Sequence, residues 1–282
     1  MPLTRRRFLA AAAAATASLP ALRVSPTSAA TAGTADMRLG LVTYLWGQDW
    51  DLATLLANCA AAAVPGVELR TEHKHGVEPS LSPAQRAEVR QRFADSPVTL
   101  VGYGSNAEYH SNDPAELRRN IELTKAYIRL MHDCGGSGVK VKPNSFVKDV
   151  PHQRTLEQIG TALNEVAAFG ADYGQRIRLE VHGPGTSELP HIKAIMDVAT
   201  HPNVGVCWNC NDADLKGEGL EHNFRLVQDR LADTTHVREL TLTDYPYADL
   251  MRLLVQAGYS GWILLECHGQ PVDPVAALQE QR

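Results

Sequence analysis

Apolar positions along the chain fall into two alternating rhythms. Short aliphatic or period-2 runs occur at "RLGLVTY" (38–44), "GVELR" (66–70), "VTLVGYG" (98–104), "GVKVKP" (138–143), "RIRLEVHG" (176–183), "NVGVCWN" (203–209), "THVREL" (235–240) and "GWILLEC" (261–267), and predict eight strands. Segments with helical spacing or helix-start signals lie between them. "DLATLLANCAAAAV" follows the first strand, Ser82 and Pro83 open the second helix, and Asp113 and Pro114 stand as N-cap and N1 of a long third helix that Gly135 and Gly136 stop. Further helices are expected near 152–170, 187–199, 219–231, 246–257 and from 272, where about ten residues remain, an early stop for a closing helix. Strand alternating with helix implies parallel strands joined by crossovers, and eight such units predict an α/β chain closed as a (β/α)8 TIM barrel. A doubly wound open sheet is the alternative, but no glycine-rich dinucleotide fingerprint follows the first strand.

Alternation sends neighbouring strand residues to opposite faces. Surrounding helices need an apolar surface, so Val67 and Leu69, Val139 and Val141, and Ile177, Leu179 and Val181 are expected to face outward. Glu68, Arg70, Lys140, Lys142, Arg178, Glu180 and His182 then face the barrel axis. Barrel interiors are usually filled by branched apolar residues, and an unpaired buried charge costs several kcal/mol. These groups must pair with one another, hold a metal or reach solvent at the C-terminal mouth, where active sites of this architecture lie.

The N-terminus follows another pattern. "TRRRFLAAAAAATASLPAL" places arginines before a short alanine-rich stretch, and "ATA" at 30–32 offers a small-residue cleavage site, so residues 1–35 read as a twin-arginine signal peptide and linker and 36–282 as the barrel. The stretch is too short and weakly apolar for a membrane span. Export through the twin-arginine machinery to a periplasmic or extracellular location is the expectation. The full chain carries a net charge of −5, and without Arg5, Arg6, Arg7 and Arg23 the remainder sits near −9, a poor match for nucleic acid. Five cysteines do not form a disulfide framework. Cys207 and Cys210 are spaced C-x-x-C, but an extended strand keeps their sulfurs apart, and "WNCND" reads better as the rim of a site than as a thiol pair.

Glu180, Asn209, His236 and Glu266 stand at four successive strand ends, separated by 29, 27 and 30 residues. Two carboxylates, an imidazole and an amide oxygen suit Mn²⁺, Co²⁺, Mg²⁺ or Zn²⁺. With "GVELR", "RLEVHG", "GVCWNCND", "HVRELTLTDYPY", "LLVQAGYSGW" and "ILLEC", the chain from about residue 38 resembles the sugar phosphate isomerase/epimerase group of xylose isomerase-like TIM barrels. In that family two glutamates, an aspartate and a histidine hold a divalent metal, and the glutamates move protons beside a sugar carbonyl. The resemblance implies that Glu180 and Glu266 are ligands and acid/base residues and that His236 is a ligand. Asn209 stands where the family has aspartate, a weaker ligand that leaves the site less negative. Asp212 in the next loop is a candidate to compensate.

The chemistry expected is proton abstraction beside a carbonyl, giving an enediolate that a cation stabilises. Returning the proton to the opposite face epimerises, returning it to the adjacent carbon isomerises, and losing a β leaving group makes a lyase. The substrate is therefore a small carbohydrate, a sugar or keto-sugar, with Lys142, His182 and Arg238 as candidate binders of hydroxyls or an anionic group and Glu68 as a further contact that could orient one of them. Export disfavours phosphorylated sugars and raises β-elimination from a 3-keto-glycoside to nearly equal standing. A non-catalytic sugar-binding barrel, with Asn209 as its best support, predicts ligand binding that survives Glu180→Gln and Glu266→Gln. A DNA-repair endonuclease of this fold needs a histidine-rich multinuclear zinc site; His73, His75 and His110 lie in early loops and read as exposed or substrate-contacting. Trp46, Trp50, Tyr103 and Tyr109 suit either a sugar pocket or the core, and a homo-oligomer is compatible with all of this.

Overall fold

The structure, a computed structural model, describes residues 36–282; the leader read in residues 1–35 lies outside the described residues. Eight parallel strands, β1 (Arg38–Val42), β2 (Gly66–Arg70), β3 (Thr99–Glu108), β4 (Gly138–Lys142), β5 (Arg176–Glu180), β6 (Val204–Asn209), β7 (Leu231–Val237) and β8 (Trp262–Leu265), close into a barrel in chain order, with β8 pairing β1. The helices between them are α1 (Leu52–Ala61), α2 (Pro83–Ala94), α3 (Pro114–Cys134), α4 (His152–Asp172), α5 (Leu189–Val198), α6 (Leu220–Arg225), α7 (Tyr247–Gln256) and α8 (Pro274–Glu280). Their starts follow local chemistry. Ser82 and Gln85 form a capping box, and the Asp113 carboxylate accepts the N–H of Ala115 ahead of Pro114. Gly135, at φ 89°, ends α3 in the left-handed conformation that glycine adopts without a Cβ penalty. No helix among the described residues is long and apolar enough to cross a membrane.

The sixth unit departs from expectation. Instead of a helix over 219–231, α6 spans six residues and is followed by a 3-10 turn at Gln228–Arg230. β7 begins at Leu231 rather than Thr235 and stops at Val237. Its early residues, Leu231 to Thr235, lack the apolar alternation that would announce a strand, and Asp233 among them pairs with Arg178.

Two apolar clusters divide the molecule. The larger joins the outward strand residues, among them Val67, Leu69, Val139, Val141, Ile177 and Leu179, to the helices. The smaller comprises Val42, Val101, Trp262 and Leu264, with Tyr44 packed against it, and fills only one side of the bore. The other side holds the charged set, as the alternation requires: Glu68, Lys140 and Arg178 are fully buried and Glu180 is 1% exposed. Near the N-terminal end Arg178 Nε and Nη2 each donate to Asp233 at 2.9 Å, so part of the bore is a structural ion pair. The room comes from glycine: a Cβ on Gly104 would lie 2.7 Å from Arg70 Cδ, 2.9 Å from Glu68 Oε1 and 3.2 Å from Lys140 Cε. A side chain there would occupy the space these three long chains fill inside the bore.

Candidate metal centre and mouth cavity

His236 organises the site. Paired with Asn209 across the β6–β7 ladder, it projects into the bore, where Nε2 meets Glu68 Oε1 at 3.1 Å and Nδ1 meets Glu180 Oε1 at 3.2 Å and Glu266 Oε2 at 3.5 Å. Each of these last two glutamates turns its other oxygen to a cation: Lys140 Nζ donates to Glu180 Oε2 at 2.6 Å, and Arg70 Nη1 to Glu266 Oε1 at 2.7 Å. Asn209 Nδ2 donates to Glu180 Oε1 at 2.9 Å.

This arrangement fits a divalent ion. With its Nε2 proton shared with Glu68, a neutral imidazole aims its Nδ1 lone pair at two carboxylate oxygens, and that repulsion is relieved only by a cation at the meeting point, either a second proton or a metal. His236 Nδ1 lies 3.2 Å from Glu180 Oε1 and 3.5 Å from Glu266 Oε2, separations that bonds of about 2.0–2.2 Å to a shared ion can span. Glu68 behind the imidazole and the two cations behind the glutamates supply the outer contacts that orient metal ligands. The amide of Asn209 can be turned to present oxygen, since its two ends are interchangeable in hydrogen-bond assignment. Burial opposes ionisation of Glu180, but the Lys140 ammonium and His236 hold its carboxyl well below the usual range. Burial likewise opposes charging of His236, yet the surrounding anionic groups, Glu68 and Glu266 among them, raise it well above an ordinary imidazole, which marks where positive charge is wanted.

Above this cluster a cavity of about 170 Å³ opens at the mouth, lined by Tyr44, Arg70, His182, Asn211, Glu266 and His268, together with Asn209, Cys210 and Arg238. Glu266 therefore reaches the cavity, whereas Glu180 lies beneath it. Of the residues expected to touch substrate, His182 and Arg238 are in the lining; Arg238 pairs with Asp244 at 3.1 Å, and burial holds His182 below the ordinary imidazole range, hence neutral. Glu68 is fully buried, bonds His236 and is not in the lining. Lys142 turns away to Asn106 Oδ1 at 3.2 Å and Glu108 at 3.6 Å, because the long β3 carries polar partners to its side. Asp212 is exposed in the following loop and does not join the ligand cluster.

Several residues of the site carry no sequence signal of their role. Alternation alone assigns Lys140 and Arg70 inward without marking what they pair with, and Tyr44, Asn211 and His268 lie just beyond strand ends, where alternation no longer orients side chains. His268 is set by Glu239, which accepts the N–H of His268 at 3.2 Å and that of Gly269 at 2.5 Å. Asn211 is set by Asp214, whose Oδ2 accepts the Asn211 N–H at 2.9 Å and the Tyr245 hydroxyl at 2.7 Å, while Asn211 Nδ2 donates to Val181 O at 2.9 Å and Asn209 O at 2.5 Å. Trp46, Tyr103 and Tyr109 belong to the core. His75 is buried, not exposed, accepting the Val77 N–H at 3.0 Å and bonding Arg70 O at 2.8 Å, and none of the three early histidines joins the cluster. All five cysteines are free, Cys207 and Cys210 included.

The family model described as "Xylose isomerase-like TIM barrel" matches residues 56–282. The chain belongs to that family. No curated protein matches it. Among solved structures, the xylose isomerase-like barrel of this chain is similar to 3-keto-D-glucoside 4-epimerase from E. coli in its apo form, with TM-score 0.73 and 11% identity over 87% of this chain and 97% of that one. It is similar to L-ribulose 3-epimerase, with TM-score 0.73 and 16% identity over 87% and 92% of the two chains. It is also similar to the IOLI protein with a bound zinc atom, with TM-score 0.72 and 15% identity over 87% and 95%. At these identities the likeness is one of fold.

Proposed function

We propose that the protein is a divalent-metal-dependent isomerase or epimerase of a sugar or keto-sugar. The observation that carries this reading is the convergence of Glu180 Oε1, Glu266 Oε2 and His236 Nδ1 on one point beneath a polar mouth cavity. Glu180, His236, Glu266 and the Asn209 amide would hold the ion, and when bound it supplies Lewis-acid stabilisation of the negative charge that develops on substrate oxygens. Glu266 touches the cavity and is the group to take the proton beside the carbonyl, with Arg70 fixing its Oε1. His182, neutral and in the same lining, positions a substrate oxygen, and its Nδ1 has no protein partner. Lys140 keeps Glu180 ionised and in place.

A second reading follows from the unequal access of the two glutamates. Because Glu266 alone of the pair lines the cavity, β-elimination from a 3-keto-glycoside, which needs one base at carbon and a hydrogen-bond donor at the leaving oxygen, is served by Glu266 as the base and the neutral His182 N–H as the donor. Release of aglycone from a 3-keto-glucoside distinguishes it from epimerisation. Export directed by residues 1–35 is part of the same proposal, tested by fractionating cells that express the full chain.

The deciding experiment is metal content by mass spectrometry on protein purified without chelator, beside the Glu180→Gln, Glu266→Gln double variant, followed by deuterium incorporation into D-fructose and D-tagatose in heavy water. The proposal expects near-stoichiometric divalent metal lost in the variant, and exchange abolished by Glu266→Gln. Absence of metal from both proteins after incubation with Mn²⁺, Co²⁺, Mg²⁺ or Zn²⁺ would overturn it.

A further inference from the structure

The mouth cavity has a neighbour. A second, open groove of about 450 Å³ runs beside it between the β5–α5 and β6–α6 loops, and the two share His182 and Asn211 as a common wall. Ligand sites span roughly 300–1,000 Å³, so the inner chamber alone is small for a complete ligand, whereas the two together are not.

The groove is preformed. Gly183 sits at φ 94° with its α-carbon against the Asn144 backbone, where a Cβ would collide with the carbonyl. Thr186 Oγ1 donates to His182 O at 2.8 Å and Ser187 N to Gly183 O at 3.0 Å, fixing the first wall. Asp214 and Asn211 fix the second. Between them lie Ser187, Asp212 and Lys216, whose side chains make no hydrogen bond or ion pair with the described residues, beside the flat surfaces of Pro184 and Ala213. A hydroxyl, a carboxylate and an ammonium offer both acceptors and donors, as a polyol requires. Asp212 and Glu188 disfavour a phosphate there, and the scarcity of apolar side chains disfavours a greasy substituent.

We infer that the substrate is a glycoside of two sugar rings, the reacting ring seated over Glu266 and the second ring in the groove formed by Ser187, Asp212 and Lys216, with the glycosidic oxygen passing between His182 and Asn211. This inference rests on the proposed sugar chemistry of the inner chamber and adds its substrate class. Asp212 and Lys216 then determine specificity without taking part in proton transfer.

The test is calorimetric titration of the zinc-loaded protein with cellobiose and maltose, against methyl β- and methyl α-D-glucopyranoside. At least one disaccharide is expected to bind tenfold or more tighter than its methyl glycoside, and Asp212→Ala with Lys216→Ala is expected to bring that ratio close to one while metal content is retained. Equal affinity for disaccharide and methyl glycoside, or a preference untouched by the paired substitutions, overturns the two-ring assignment; deuterium exchange into a keto-sugar would still stand as support for the inner chemistry. A preference that is lost in the variant, in a protein that exchanges no deuterium, keeps the groove and overturns the chemistry instead.

Discussion

Asp214 connects a buried charge to the shape of the mouth, and its substitution by asparagine gives a quantitative prediction. The side chain is fully buried; Oδ2 accepts from Asn211 and Tyr245, but Oδ1 has no partner. Burial pushes the carboxyl from an ordinary 3.8 up to about 7, against the lowering effect of its two hydrogen bonds. The folded state therefore holds a proton that the unfolded chain releases, and stability falls as pH rises between these values, levelling off above about 7. At about 1.36 kcal/mol per unit, the full penalty is roughly 4 kcal/mol, of which about 2 kcal/mol is incurred between pH 5.5 and 8.5. Asp214→Asn keeps an oxygen to accept from Asn211 and Tyr245, places an uncharged amino group where Oδ1 stood, and removes the titration. Urea unfolding at the two pH values should show the wild type losing about 2 kcal/mol more than the variant. Parallel pH dependences in the two proteins would refute the reasoning, whatever their absolute stabilities.

Three further outcomes follow from the bore. Lys140→Met leaves Glu180 Oε2 buried without its cation and should cost about 3–5 kcal/mol in urea unfolding of the metal-free protein; a loss below about 1 kcal/mol would show that the pair is not the strut its 2.6 Å contact indicates. Asn209→Asp adds an anion 2.9 Å from Glu180 Oε1, so metal-free protein should lose stability while zinc affinity, read by competition with a chromophoric chelator, rises at least tenfold; unchanged affinity would remove residue 209 from the ligand set. Gly104→Val intrudes on Arg70, Glu68 and Lys140 and should cost about 1–3 kcal/mol and weaken zinc binding, whereas an unperturbed variant would mean the bore has slack that the packing does not show.

Much of this protein is legible along the chain because barrels impose a local rule at every strand. Aliphatic residues at alternate positions, as in "GVELR" and "GVKVK", announce both a strand and its outward face, and the charged residues between them are thereby assigned to the bore, where Glu68, Lys140, Arg178 and Glu180 are found. The near-constant spacing of Glu180, Asn209, His236 and Glu266 reflects one βα unit per candidate ligand, and the ladder brings His236, Glu180 and Glu266 within contact. The rule lapses in β7, whose early residues lack apolar alternation and whose Asp233 pairs with Arg178, and α6 is shorter than the span its pattern suggests.

Sequence by itself determined the closed barrel, the inward charges and the ligand candidates, since these depend on periodicities of two and about thirty residues. Tertiary structure alone decided which charge answers which. Lys140 rather than Lys142 reaches Glu180, Glu68 bonds His236, Arg70 holds Glu266, and Glu266 rather than Glu180 faces the cavity. It also decided that the loops after β5 and β6 enclose a second groove. Those pairings join residues up to 196 apart in the chain, and they follow from distances across the bore and from the space left by Gly104, which no local pattern encodes.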